Sequence, residues 1–385
     1  MNKKIRTQPN CAKVFLFLIF VSLAVFACAS GFRVSSLESD IQWTDFGGDG
    51  FHSFAREADD IENPELLFRL KLLSMVGSTV VTGDNTVFCC TQKGYLQAYD
   101  LTKGKLLGKI KIKYKMISAP VYDNHTLYFA AVDGRFTINS FDAVRGRFNW
   151  RKNLGVFESA LTVSGDNLFA ANRSGLVYNL DKESGDIVWE YQADSEILSG
   201  TIVVDDLVIV GSLKGIISAL DKSTGEEVWQ YDSGMILRAT PSSDGSRIFW
   251  GTLDNTLLAL DARSGSELWR FNTNGAIYTT PSVTKESITF GCNDGKIYSI
   301  DKITGKERWR FDTESVVNTS CITIGSTVYF GALNKMVYGL DAVSGKKIWE
   351  FPVEGRVVGN PAYYDGKLIF PVESRFLYVF GQNKN

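Results

Sequence analysis

A motif that recurs about every forty residues is the feature that most constrains this chain. Seven segments contain Asp-x-x-x-Gly, and six of them place Trp eight residues after the Asp, whereas Gly108 stands there in the first segment. Successive aspartates are 42, 39, 40, 40, 40 and 40 residues apart. The motif residues are Asp100, Asp142, Asp181, Asp221, Asp261, Asp301 and Asp341; Gly104, Gly146, Gly185, Gly225, Gly265, Gly305 and Gly345; and Trp150, Trp189, Trp229, Trp269, Trp309 and Trp349. Such a fixed period is the signature of a solenoid or a propeller.

Within each repeat, apolar and polar residues alternate with period two, which predicts strands rather than helices. Three strands of one repeat are visible in 246–255, 256–261 and 267–271. A fourth strand is predicted around a recurrent proline, which stands at Pro241, Pro281 and Pro361. Four antiparallel strands per forty residues make one propeller blade, and blades close into a ring that hides their edges.

The three motif residues are interpreted as architecture. An Asp side chain can accept hydrogen bonds from the backbone amides of a tight turn, and Gly supplies the left-handed conformation that closes it. The Trp is expected to lie flat against the neighbouring blade.

The ends of the chain predict how the ring closes. Residues 376–381 align with the third strand of a repeat but stop before a further Gly and Trp, so this eighth unit lacks its outer strand. Residues 64–72 resemble an outer strand, with Phe68 near the Trp position. They are therefore predicted to complete the blade of residues 356–381.

The N-terminus is typical of an exported protein. Residues 1–27 combine four basic residues with an apolar run that ends before Cys28, and this pattern predicts a signal peptide. The sequence Val-Phe-Ala-Cys resembles a bacterial lipobox, in which Cys28 would be acylated and anchor the protein to a membrane. Secretory cleavage after Ala29 is the alternative. Residues 28–41 are interpreted as a polar tether.

The repeat resembles the pyrroloquinoline-quinone (PQQ) propeller repeat, whose pattern Ala-x-Asp-x-x-x-Gly-x-x-x-Trp stands at 219–229 and 259–269. The resemblance covers about residues 42–385 and includes the opening segment 43–49. It implies an all-β, eight-bladed propeller of four-stranded antiparallel blades, closed by an N-terminal strand. The same repeat builds quinoprotein alcohol dehydrogenases and the BamB family of outer-membrane barrel-assembly lipoproteins, so it leaves the function open.

Two observations favour the non-enzymatic branch of that resemblance. The repeat spacing never exceeds 42 residues, which leaves no long loop to build a pocket. The vicinal pair Cys89-Cys90 resembles the disulfide that packs on the quinone in some dehydrogenases, but it aligns with apolar and small strand residues in later repeats. Cys292 and Cys321 align likewise with ordinary repeat positions. All four are predicted to be buried thiols, although an even number in an exported protein also permits disulfides.

Charge is the exception to the regularity. Residues 94–152 hold 11 basic residues and four aspartates, a net +7, whereas the chain after residue 27 has 37 basic and 43 acidic residues, a net −6. Lys109, Lys111, Lys113 and Lys115 alternate with other residues, which predicts that they share one face of an outer strand. They either keep that strand soluble and unpaired, or form a basic rim for an acidic partner or anionic lipid head groups.

These patterns predict a monomeric, non-enzymatic scaffold of the cell envelope, anchored by lipid to the outer membrane, which binds envelope proteins and assists an outer-membrane assembly complex. No metal or nucleic acid is expected, because the chain has only two histidines and is acidic overall. No cofactor is expected either, because the short connections leave no pocket for PQQ. The alternatives are a PQQ-binding quinoprotein oxidoreductase and a module that binds an envelope polysaccharide.

Overall fold

The computed structural model describes Val34 and residues 43–382, and in these the chain forms 33 strands arranged as eight sheets. The predicted signal peptide, Cys28 and the predicted tether other than Val34 lie outside the described residues.

Each sheet is one blade, and its strands are named from the innermost to the outermost. Blade 1 comprises β3 (Val81–Gly83), β4 (Thr86–Cys90), β5 (Tyr95–Asp100) and β6 (Lys105–Lys111); blade 2 comprises β7 (Val121–Asp123), β8 (Thr126–Ala130), β9 (Ile138–Asp142) and β10 (Arg147–Lys152). Blade 3 comprises β11 (Thr162–Ser164), β12 (Asn167–Ala171), β13 (Leu176–Asp181) and β14 (Ile187–Gln192); blade 4 comprises β15 (Ile202–Val204), β16 (Leu207–Gly211), β17 (Ile216–Asp221) and β18 (Glu227–Asp232).

The remaining blades continue the pattern. Blade 5 comprises β19 (Ser242–Ser243), β20 (Arg247–Gly251), β21 (Thr256–Asp261) and β22 (Glu267–Asn272); blade 6 comprises β23 (Ser282–Val283), β24 (Ser287–Gly291), β25 (Lys296–Asp301) and β26 (Glu307–Asp312). Blade 7 comprises β1 (Ala55–Arg56), β27 (Ile322–Ile324), β28 (Thr327–Gly331), β29 (Met336–Asp341) and β30 (Lys347–Pro352); blade 8 comprises β31 (Ala362–Tyr364), β32 (Lys367–Val372), β33 (Phe376–Gly381) and β2 (Glu65–Lys71).

The predicted eight-bladed propeller is confirmed, and so is its closure. Strand β2 pairs antiparallel with β33, with Glu65 opposite Gly381 and Lys71 opposite Phe376. The inner strands after Pro241, Pro281 and Pro361 also stand where the recurrent proline predicted them. Blade 7 differs from the predicted four strands, because β1 adds a fifth, parallel strand on its inner side.

The packing explains the period-two pattern. The middle strands are buried on both faces, as in β17, whereas the outer strand β18 alternates exposed and half-buried residues. The apolar side chains gather in clusters between neighbouring blades, which is where a ring of twisted sheets excludes water.

The repeat motif forms the turn between the third and fourth strands of a blade. In blade 4, Asp221 Oδ1 accepts hydrogen bonds from the backbone amides of Ser223 (2.9 Å) and Thr224 (2.8 Å). Gly225 has a φ of 77°, the left-handed conformation that an L side chain disfavours. The roles predicted for Asp and Gly are confirmed.

The motif Trp joins each blade to the next one. Trp189 donates from Nε1 to the carbonyl of Lys222 (3.0 Å), and its ring covers Gly225 so closely that an added Cβ would lie 2.6 Å from a ring atom. The same bond recurs from Trp150, Trp229, Trp269 and Trp309 to the equivalent carbonyls of the following blades. Phe68 covers Gly104 in the same way, as its alignment with the Trp position predicted.

The segment from Trp43 to Arg56 crosses the ring, which the sequence did not predict. At one end of the segment, the carbonyls of Trp43 and Thr44 accept hydrogen bonds from the amides of Thr82 in blade 1 and Tyr122 in blade 2. At the other end, the carbonyls of Phe51, Ser53 and Phe54 accept from the inner strands of blades 5, 6 and 7, where the donors are the amides of Ser243, Val283 and Thr323, respectively. The chain then passes over blade 7 to reach β2, with Tyr329 donating to the carbonyl of Ile61 (3.0 Å). None of the described residues forms a helix with the length and apolar character that a bilayer crossing requires.

Candidate functional site

The axial channel is the first candidate site. It holds a cavity of about 300 Å³, with Phe46 of the crossing segment among its lining residues. All eight blades contribute to its wall; among the polar lining residues are Ser78, Ser118, Ser159, Arg238, Thr280 and Asn360. The volume is at the lower end of the range for small-molecule pockets.

Several polar groups of the channel wall bond one blade to the next. Thr240 Oγ1 accepts from the amide of Gly200 (3.0 Å), and the side chain of Thr280 donates to the carbonyl of Thr240 (2.8 Å). Asn360 Oδ1 accepts from the amide of Ser320 (2.8 Å). These three hydrogen bonds therefore link neighbouring blades around the channel.

The structure does not bring the vicinal cysteines to the channel, where the resemblance to the dehydrogenases would place a quinone. Cys89 and Cys90 lie in β4, are buried, and line no part of the channel cavity. Burial raises the pKa of Cys89 far above its ordinary value. Within the described part of the chain, no three His, Cys, Asp or Glu residues are grouped so that they could hold a metal ion.

The described cysteines stand where the alignment predicted them. Cys89, Cys90, Cys292 and Cys321 are all buried and free. Burial raises the pKa of Cys292 to about 11, so the thiol stays protonated near neutral pH. The prediction of buried thiols is confirmed in their placement.

The two histidines lie in different parts of the ring. His52 is fully buried in the crossing segment, and its Nδ1 lies 3.3 Å from the carbonyl oxygen of Pro241. His125 lies in the turn between β7 and β8, with Nδ1 2.9 Å from Asp84 Oδ2. Burial lowers the pKa of His52 to about 4 and raises that of Asp45, in the same segment, to about 7.

A second cavity, of about 600 Å³, lies on the face that the crossing segment covers, against blades 5, 6 and 7. Its charged groups are paired within the protein: Lys302 lies 3.1 Å from Asp244, and both are largely buried. Burial opposes ionisation of Asp244, but the backbone amides of Ser246 and Arg247, together with the side chains of Ser246 and Lys302, lower its pKa to about 2. Lys285, Lys302 and Arg308, which line this cavity, are each paired with a carboxylate.

The four candidate lysines do not share one strand face, so that prediction is wrong. Strand β6 ends at Lys111, and Lys113 has a φ of 79°, which turns the chain out of the sheet. Lys115 lies beyond the strand, where its carbonyl accepts from Val132 of blade 2. All four are nevertheless exposed. Lys109 and Lys111 therefore lie on the outer strand of blade 1, whereas Lys113 and Lys115 lie in the connection that leads to blade 2.

A family model described as "Outer membrane protein assembly factor BamB" matches residues 52–160, 135–236, 213–329 and 293–379. The chain belongs to this BamB family. BamB of Legionella pneumophila (strain Paris) is 26% identical over 130 residues, which are 31% of this chain and 33% of that protein. BamB of Shewanella oneidensis is 30% identical over 96 residues, 21% of this chain and 24% of that protein. The chain thus spans about a third of the length of the first relative and about a quarter of the second.

Solved structures show the same fold. BamB from Moraxella catarrhalis has a TM-score of 0.73 at 17% identity, covering 83% of this chain and all of that one. Quinohemoprotein alcohol dehydrogenase from Comamonas testosteroni has a TM-score of 0.74 at 14% identity, covering 89% of this chain and 81% of that one. At these identities the likeness concerns the architecture alone, which BamB and the dehydrogenases share.

Proposed function

We propose that the protein is a non-enzymatic scaffold of the cell envelope that takes part in outer-membrane protein assembly, as the name of its family indicates. The observation that carries the proposal is the BamB family match over residues 52–379. The signal-like residues 1–27 and the lipobox-like Cys28 add the expectation of an exported, lipid-anchored protein facing the periplasm.

The geometry supports a binding role over a catalytic one. The crossing segment contributes Phe46 to the channel cavity, and channel polar groups such as Thr240 and Thr280 bond neighbouring blades. The loops of a rigid ring can nevertheless form a broad, fixed surface to which partner proteins bind. The protein is accordingly proposed to act as a monomeric propeller without PQQ.

Deletion of the gene in the source organism tests the proposal. We expect the outer-membrane β-barrel proteins to fall in abundance, and the wild-type gene to restore them. Cross-linking in intact envelopes should also join the protein to components of the assembly complex. Unchanged β-barrel protein levels together with cross-links only to unrelated proteins would refute the assembly role.

The quinoprotein alternative has a separate test. The purified protein is mixed with PQQ and Ca²⁺, and its absorption spectrum and dye-coupled alcohol oxidation are recorded. We expect no protein-bound quinone band and no alcohol-dependent dye reduction. A stoichiometric quinone complex with such activity would replace the scaffold proposal.

A further inference from the structure

The exposed basic residues around the end of β6 differ from the charges on other outer strands. In blades 5, 6 and 7 the outer strand carries ion pairs three residues apart; these are Arg270 with Glu267 (2.5 Å), Arg310 with Glu307 (2.8 Å) and Lys347 with Glu350 (2.7 Å). We define the basic rim as the exposed residues Lys109, Lys111, Lys113, Lys115 and Arg135 together with the half-buried Arg151. Among the described residues, none of these six has an acidic side chain within ion-pair distance.

Aromatic rings are interleaved with the basic rim. Lys111 Nζ lies 3.9 Å from the centre of the Tyr95 ring, and the Arg151 guanidinium lies 4.3 Å from that of Phe136. The nearby carboxylate of Asp133 accepts a 3.4 Å hydrogen bond from the backbone amide of Lys115, not from its side chain. The rim therefore presents ammonium and guanidinium groups beside half-buried rings, a combination that suits the interface of a membrane.

Val34 lies between the same two blades as the basic rim. It is 5% exposed and belongs to the apolar cluster shared by blades 1 and 2. Ile112, Met116 and the partly buried Tyr114 belong to that cluster too, and they alternate along the chain with Lys113 and Lys115. Cys28 is six residues before Val34, and six residues span at most about 20 Å of extended chain. An acyl chain on Cys28 would thus keep blades 1 and 2 near the bilayer.

We propose that the basic rim binds the anionic head groups of the membrane in which the protein is anchored, so that blades 1 and 2 face the lipid. The inference rests on the proposed acylation of Cys28 for its geometry. The chain after residue 27 carries a net −6, which would repel an anionic surface, so attraction requires this local concentration of positive charge. The short link between Val34 and Cys28 favours lipid over an acidic protein as the occupant, because it keeps blades 1 and 2 near the membrane before any partner arrives.

Vesicle binding of the mature chain with Cys28→Ser tests the rim without the anchor. The probe is co-sedimentation with phosphatidylethanolamine vesicles that contain about 30% phosphatidylglycerol, compared with vesicles of phosphatidylcholine alone. We expect binding to the anionic vesicles only, and its loss as salt rises from about 0.1 M to 1 M, where the Debye length falls from about 10 Å to 3 Å.

A matched pair of triple variants locates the binding surface. The rim variant is Lys109→Gln, Lys113→Gln and Lys115→Gln, and the control variant is Lys214→Gln, Lys306→Gln and Lys346→Gln. The control lysines are also exposed and have no ion-pair partner among the described residues, so both variants change the net charge equally. We expect the rim variant to lose about fivefold in affinity per lysine, on the order of 100-fold together, and the control variant to lose little.

Equal losses in the two variants, or equal binding of the parent to both kinds of vesicle, would overturn the proposal. The lipid assignment would also be wrong if the parent binds no vesicles and only the rim variant loses cross-links to an envelope protein. In that case the rim binds an acidic protein. Thermal unfolding of each variant shows that the fold is intact. The assembly role is read independently from β-barrel protein levels, so the failure of one proposal is distinguishable from the failure of the other.

Discussion

Trp349 Nε1 donates a 3.1 Å hydrogen bond to the carbonyl oxygen of Pro64, which lies 285 residues earlier in the chain. Every equivalent bond described above joins a blade to a turn about 33 residues further along, within continuous chain. At this junction the acceptor instead lies directly before β2, the N-terminal strand that completes blade 8. The same contact that elsewhere links consecutive blades thus fastens the closing strand.

Replacement of Trp349 by Ala should loosen that closing strand selectively. Truncation of a large buried ring costs about 3 kcal/mol or more, somewhat less where the ring is half-exposed. Hydrogen exchange of residues 65–71 should rise at least about tenfold, the equivalent of about 1.4 kcal/mol of local stability. Trp309→Ala is the control, because it removes the same bond at an internal junction. If both variants accelerate exchange of β2 equally, Trp349 has no special role in closure.

Gly265→Ala should destabilise the ring by forcing Trp229 away. An added Cβ would lie 2.4 Å from the ring, and Gly265 has a φ of 71°. Gly165→Ala is a matched control, because it has a φ of 63° but nothing within 4 Å of an added Cβ. Both should lose about 1 kcal/mol from the left-handed backbone, and Gly265→Ala about 1–3 kcal/mol more from the clash.

Urea unfolding midpoints measure that difference directly. Equal midpoints for the two glycine variants would mean that the Trp ring moves aside without cost.

His52 and Asp45 should give opposite pH dependences of stability. The pKa of His52 is about 4 in the folded protein, so the unfolded chain binds the proton more tightly, and stability falls as pH drops from 6.5 towards 4. The pKa of Asp45 is about 7, so its contribution instead falls as pH rises from 4 towards 7. The shifts correspond to about 3 and about 4 kcal/mol respectively as upper limits.

The variants His52→Gln and Asp45→Asn separate the two effects, because each removes one titration. The unfolding free energy of His52→Gln should improve relative to that of the parent as pH falls. The unfolding free energy of Asp45→Asn should improve relative to that of the parent as pH rises. Parallel curves of unfolding free energy against pH for the parent and both variants would contradict the burial of these groups.

Cys28→Ala should abolish acylation, and the variant should leave the membrane fraction at about 1 M salt, where the basic rim is screened. Acylation requires the thiol of Cys28, so the substitution removes the proposed anchor. The mass of the N-terminal peptide of the parent is the decisive measurement, since it distinguishes an acylated Cys28 from an unmodified terminus at Ser30. An unmodified terminus and unchanged fractionation of the variant would show that the signal is cleaved after Ala29.

The sequence by itself determined the ring, its blade number and its closure, because these depend on contacts that every repeat contains. The turn closed by Asp221 and Gly225 lies within four residues, and Trp189 meets the next repeat at a fixed distance along the chain. One period therefore specifies the blade and its neighbour. The alignment of Phe68 with the Trp position predicted the same packing at the junction between blades 8 and 1, where Phe68 covers Gly104.

Only the tertiary structure decided the features that break the period. His52 meets Pro241 across 189 residues, and no repeat predicts where a unique segment such as 43–56 will pack once eight blades leave a channel open. The alternation of lysines suggested a continuous strand, but the left-handed turn at Lys113 ends it, because the chain must leave blade 1 to begin blade 2. Burial of Val34 between those two blades likewise depends on apolar surface that exists only after the ring has formed.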